Sequence, residues 1–310
     1  MTNDYLHIAS EINTLTDLLA DIPADNLIER MSLMARLDNA KSALDNVSMQ
    51  LNPKVRLTFR GKPVVGSHGV SADFGSQATH AFGDAYTAIA AGLTRGLRTR
   101  GPIPDQDKYP LVITNIAVGS FGFEFELYSQ QQSLFPEAER AREAMNKLEA
   151  LLRLSAVGTD DEVAEVIEAV DSRAVTQVHK FLTVLVTHQA WCGLEYGDTH
   201  FQYTDYAQIK VSNERLKDDN IHTQKQSFHG EFQGILPLGR TFEFVHGEST
   251  EVLRGKINSA IEDPDILNRN WLHKPVTVQL TALYVGRGRP RYTLVSLADV
   301  HPNDPSDAPV

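Results

Sequence analysis

The chain has 310 residues, with 42% hydrophobic and 22% charged residues, the balance of an ordinary globular protein with a sizeable core. Its formal charge is -11, and its pI near 5.4 makes it a poor general binder of polyanions unless its basic groups cluster. No apolar run reaches the roughly 18 residues of a membrane-spanning helix. Met1-Thr2-Asn3-Asp4 lacks the basic and apolar regions of a secretory signal. The single cysteine, Cys192, excludes an intramolecular disulfide framework. These features point to a reducing cytoplasm and to protein or small-molecule partners, with no membrane.

Two helices are predicted over residues 1–50. Ile8, Ile12, Leu15, Leu19 and Ile22 follow a 4,3,4,3 spacing, which aligns them on one seam. Pro23 interrupts the pattern, and Leu33, Leu37, Ala40, Leu44 and Val47 then repeat the spacing. Two seams joined by a turn predict an antiparallel hairpin, which either packs on its own core or serves as a dimerisation arm.

From Val55 the period becomes that of a strand, with Val55, Leu57 and Phe59 alternating with Arg56, Thr58 and Arg60. Gly61 supplies a turn. A helix over about 73–93 follows, built on Phe74, Ala78, Phe82, Tyr86, Ile89 and Leu93. The proline-bearing "RTRGPIPDQDKYP" reads as a loop. "LVITNIAVGSFGFEFEL" returns to strand, with Gly119-Ser120 as a bend. Residues 133–190 read as helices, among them "DDEVAEVIEAV", whose opening acids suit the positive end of a helix dipole. "WCGLEY" and "HFQYT" flank the turn dipeptide Gly197-Asp198, and a short helix follows.

Five extended runs and one helical insert near "DPDILNRNWL" occupy residues 221–300, a pattern of a small bent sheet or barrel, OB-like or SH3-like. The tail 301–310 is polar and proline-rich, with the composition of a disordered segment. The expected class is α+β: a helical hairpin at 1–50, a central mixed α/β region at 51–220 and a C-terminal small β-barrel at 221–300.

Three stretches carry candidate chemistry. Glu124 and Glu126 lie two apart on a strand, about 6.7 Å, a spacing for an acid/base pair or a divalent ion. The structural alternative is a solvated face with Arg56 and Arg60 as ion-pair partners. Gly66, Ser67, His68 and Gly69 form "GSHG", a place for main-chain amides to approach an anion beside Gly119 and Ser120. No P-loop lysine follows it, and a turn or bulge serves equally. "GRGRPRY" is the dense basic patch: Arg287, Arg289 and Arg291 alternate, with Tyr292 adjacent for stacking on a base. The same arginines also suit a soluble hairpin edge.

The eleven histidines are scattered without ligand spacing. Accordingly no metal, cofactor or catalytic residue is assigned. Cys192 beside Trp191 reads as a small core residue.

The combination of "LTFRGKPVVGSHGV", "GSFGFEFEL", "GEFQGILPLGRTFEF" and "GRPRYTLV", with "ERMSLMARL" near the start, resembles a group of functionally uncharacterised bacterial proteins. The resemblance spans most of the chain. It implies a bacterial cytoplasmic protein in an accessory role, in a toxin–antitoxin or phage-defence setting, and carries no catalytic residue to any position. The expected function is a non-catalytic binding or assembly module that self-associates through its N-terminal helices. Two alternatives stand beside it. One is nucleic-acid recognition by the barrel; the other is a nucleotide sensor or metal-dependent hydrolase using "GSHG" and "GSFGFEFE".

Overall fold

The computed structural model describes residues 2–23, 26–51, 54–94, 103, 109–117, 121–127, 136–247, 249 and 251–303. Helices α1 (Thr2–Asp21) and α2 (Leu27–Leu51) form the expected hairpin. Leu15 and Ala40 are buried in its seam. Arg30 closes the turn, donating from Nη1 to the carbonyls of Ile22 (2.9 Å) and Leu19 (3.2 Å) and so satisfying groups that the end of α1 leaves open.

A five-stranded antiparallel sheet follows, in the order β4-β5-β1-β6-β7. Its strands are β1 (Lys54–Gly61), β4 (Leu111–Ala117), β5 (Phe121–Leu127), β6 (Ala190–Tyr196) and β7 (Thr199–Gln202). The alternation in β1 is the reason for its two faces: Val55, Leu57 and Phe59 are fully buried, while Arg56 and Thr58 look the other way. The buried side receives α3 (Ala72–Thr94), α4 (Pro136–Val157), α6 (Ser172–Thr187) and α7 (Tyr206–Arg215). Phe82 of α3 meets Phe181 of α6 at 5.5 Å and Phe125 of β5 at 5.7 Å, joining both layers in one core. A minor hairpin, β2 (Val64–Val65) and β3 (Gly69–Val70), leads from β1 into α3. The short helix α5 (Asp160–Glu168) begins with a reciprocal cap, in which Thr159 Oγ1 accepts from Glu162 N and Glu162 accepts from Thr159 N.

The C-terminal strands close a barrel: β8 (Ile221–Leu236), β9 (Thr241–His246), β10 (Val252–Ile257), β11 (Pro275–Val285) and β12 (Arg291–Leu294). Around the barrel the order is β8-β9-β10-β12-β11 and back to β8, with β10 and β12 parallel and the other pairs antiparallel. Helix α8 (Asp265–Trp271) spans the crossing from β10 to β11. Phe232, Phe242 and Phe244 fill the interior, with centroids 5.1–5.7 Å apart. The two cores meet at Val285 of β11, which is buried in the helical layer's cluster.

Two expectations changed in detail. The sequence places the first extended run from Gln226, yet β8 begins at Ile221 and includes the polar "HTQK", because eleven residues of β11 pair with it. His301 and Pro302 belong to β13 (Val300–Pro302), which adds to the edge of β11. The rest of the proposed tail, 304–310, lies outside the described residues, as does most of the proline-bearing loop before β4.

Candidate functional site

Beside the basic motif lies a groove of about 750 Å3 on the outer wall of the barrel. Arg254, Lys256, Arg289 and Arg291 line it together with Glu243 and Glu168. The alternation of arginines does not become a row. Residues 286–290 form the turn between β11 and β12, and only Arg291 lies in a strand. Gly286, at φ +56°, starts this turn.

The turn is held by the acidic start of α5. Asp160 Oδ2 accepts from Arg287 N at 3.0 Å, and Asp161 Oδ1 accepts from Arg289 N at 2.8 Å. Both glycines make room for these carboxylates. A Cβ at Gly286 would lie 2.5 Å from Asp160 Oδ2, and one at Gly288 would lie 3.0 Å from Asp161 Oδ1.

Glu168, with its side chain only 10% exposed, then takes two cations: Lys256 Nζ at 2.8 Å and Arg291 Nη1 at 3.5 Å. The lysine contact is one of charge, since the carboxylate oxygen lacks the alignment of a hydrogen bond. Arg291 also reaches Glu165 at 3.3 Å, and Arg254 pairs with Glu243 at 2.9 Å. Of the four cations in the groove, only the Arg289 guanidinium has no ion pair among the described residues. Tyr292 turns its ring to Phe228, 5.3 Å away and edge to face, at the barrel's interior side. The motif therefore acts as a clasp between barrel and helix. Reading "GRG" together with the acids that open α5 is the signal that finds it.

The face of the five-stranded sheet opposite the helical layer carries a ladder of charge. Lys54 Nζ lies 2.9 Å from Glu124 Oε1, and Arg56 bridges Glu124 (3.7 Å) to Glu195 (3.1 Å). His200 Nδ1 stands 3.5 Å from the far oxygen of Glu195. The Lys54 hydrogen bond holds the Glu124 carboxyl below its usual range, and Glu124 in turn raises the lysine. Arg56 is thus an ion-pair partner as expected. Arg60 is not; it stands opposite Trp191, and Lys54 takes its place. Glu126 has no ion pair among the described residues.

"GSHG" is an exposed turn between β2 and β3, in which His68 N donates to Val65 O at 3.1 Å and Gly66 has φ +57°. Its hairpin packs through Val70 near Gly75 and Phe123, on the helical side of the sheet. Strands β3 and β5 are neighbours, but Glu124 and Glu126 project from the opposite side of β5, so these carboxylates do not face the "GSHG" turn. Gly119 and Ser120 lie outside the described residues. Among the described residues, no group of three histidine, cysteine, aspartate or glutamate side chains is placed to hold a metal ion. Cys192 is buried, and burial pushes its thiol far above the range in which it would ionise.

The other distinctive surfaces are apolar. Among the described residues, α1 and α2 pack on each other and on no other element to a comparable extent. Their seam residues Ile8, Ile12, Leu19, Ile22, Leu33 and Leu37 remain only half-buried. Along one side of α2, Leu27, Met31 and Met34 are 68%, 69% and 52% exposed, with Ile28 beside them. The 4,3 spacing of the seam was legible in the sequence. This second stripe was not, because it lies one residue off a pattern already assigned. No helix among the described residues is long and apolar enough to cross a membrane. No protein-family model, curated protein or solved structure matches this chain.

Proposed function

We propose that the chain is a non-catalytic binding and assembly module that self-associates through its N-terminal hairpin. The observation that carries this reading is the half-buried seam of α1 and α2 together with the exposed stripe Leu27, Met31 and Met34. Two helices alone cannot enclose an apolar seam, whereas four can. A second hairpin covers what the first leaves open, and a patch of this kind on a soluble chain marks an interaction site. An accessory role in the bacterial cytoplasm is the setting implied by the shared motifs. The test is light scattering coupled to size exclusion on the full chain. Met31→Lys with Met34→Lys lowers the mass of the wild-type assembly; an unchanged mass ends the reading.

A second reading comes from the barrel. Numbered within the barrel, its strand order is 1-2-3-5-4 with the third and fifth parallel, the arrangement of the OB class, whose second and third strands bind oligonucleotides. The groove lies on that wall. This reading is placed second because three of its four cations already have carboxylate partners. It predicts salt-sensitive binding of a labelled single-stranded oligonucleotide that is lost when Arg287, Arg289 and Arg291 become Ala. Absence of binding at low salt removes it.

A further inference from the structure

Sheet edges expose unpaired backbone donors and acceptors, and soluble proteins protect them with charge, proline, shortness, a bulge or a cover. Most free edges in this molecule follow that rule. β7 has four residues, β13 has three and ends on proline, and the stretch of β8 that β9 does not reach carries Lys225 among polar residues. β4 differs. It runs for seven residues, "LVITNIA", without a charge or a proline; among the described residues it pairs with β5 alone, and its one guard is the bulge at Thr114.

The side chains of residues 112–116 are also exposed, between a half-buried Leu111 and a buried Ala117. The register with β5 puts Ile113 opposite Phe125 and Ile116 opposite Phe123, so both isoleucines continue the face that the helices bury. The helical layer stops short of them, leaving Ile113 52% and Ile116 54% exposed. Val112, on the opposite face, is exposed as well. The bulge at Thr114 keeps Ile113 and Ile116 on one side although they are three residues apart.

We propose that β4 pairs antiparallel with β4 of a second copy of this chain, joining two five-stranded sheets across a two-fold axis. An uncharged strand meets no like-charge repulsion from its own copy. A two-fold centre between Thr114 and Asn115 sets Ile113 opposite Ile116 of the second copy, and the reverse, so each pair covers the other's bare apolar shelf. Val112 then faces Ala117 on the other side of the sheet. One contact must open: Asn115 Oδ1 accepts from the Ile116 amide at 2.8 Å and turns away to free it. This interface is independent of the hairpin, and two distinct two-fold contacts on one chain let assembly grow past a dimer.

The experiment is light scattering on four full-length proteins, with circular dichroism to verify folding. They are the wild type, Ile113→Lys/Ile116→Lys, Met31→Lys/Met34→Lys, and the four-fold variant. All four positions are exposed, so the substitutions leave the cores intact. The wild type is expected to exceed a dimer at high concentration, each pair to reduce it to a dimer, and the four-fold variant to run as a monomer of 34.4 kDa. In the Met31→Lys/Met34→Lys protein, amide exchange over 111–117 slows about ten-fold or more as concentration rises. A monomeric Met31→Lys/Met34→Lys protein, or a dimer of it unmoved by the β4 changes, overturns the proposal. Loss of all association from the β4 changes alone leaves this interface standing and sinks the hairpin reading instead.

Discussion

The β11–β12 turn and the N-terminal hairpin each carry two readings in sequence, and the structure bears on them differently. The turn displays three arginines and has the look of a surface awaiting an anion. In the fold, two of its amides and its strand arginine are already engaged by α5. The hairpin reads either as a pair of seams packed on each other or as a dimerisation arm, and in the fold most of its seam is only half-buried while a stripe of α2 stays open to solvent. Charge met from within the chain marks a structural joint. Apolar surface left open among the described residues is what the proposed interface rests on.

The largest effect expected from breaking the clasp comes from Gly286→Ala. It puts a Cβ at φ +56° and against Asp160, at a cost of about 2–3 kcal/mol in urea unfolding. An unchanged midpoint would mean that the turn is not held as described. Asp161→Ala removes the acceptor of the Arg289 amide, and about 1–3 kcal/mol is lost in the same measurement. Arg289→Ala sharpens the contrast from the other side. Its guanidinium has no ion pair among the described residues, so stability changes by less than about 0.5 kcal/mol; a larger loss would reveal a role for that side chain within the fold.

The smallest effect belongs to the charge ladder. The Glu124 carboxyl is depressed in the folded state, so its contribution is present above the unfolded value near 4.5 and is lost as pH falls through the lower folded value. Lys54 is raised, and its share is lost only as pH rises beyond about 10.5. Glu124→Gln therefore flattens the acid limb of a stability–pH curve by a shift of no more than about 2 °C in Tm at neutral pH. A steeper acid limb in the variant would contradict the sign.

Local pattern carried much of this architecture. The 4,3 spacing located the hairpin seam, period-2 alternation gave β1 its two faces, and Gly197-Asp198 marked the β6–β7 turn, where Gly197 has φ +56°. What stayed hidden is nonlocal. The first residues of β8 are polar and become a strand only because β11 lies alongside. Asp160 and Arg287 are 127 residues apart, and nothing in either segment alone announces the other. Glu124 met Arg56 as its strand neighbour predicts, whereas Lys54 took the place given to Arg60 because register, not residue type, decides which side chains meet. The β4 edge was read only as strand, since composition cannot tell an edge from a centre.

The central claim is that the hairpin's open apolar surface is an assembly interface. Light scattering of the full-length chain, wild type against Met31→Lys/Met34→Lys over a concentration series, tests it most directly. The expected wild-type mass lies above 34.4 kDa and falls in the variant while its circular dichroism is unchanged. A wild type that remains at 34.4 kDa at every concentration, or a variant that keeps the full wild-type mass, would contradict it.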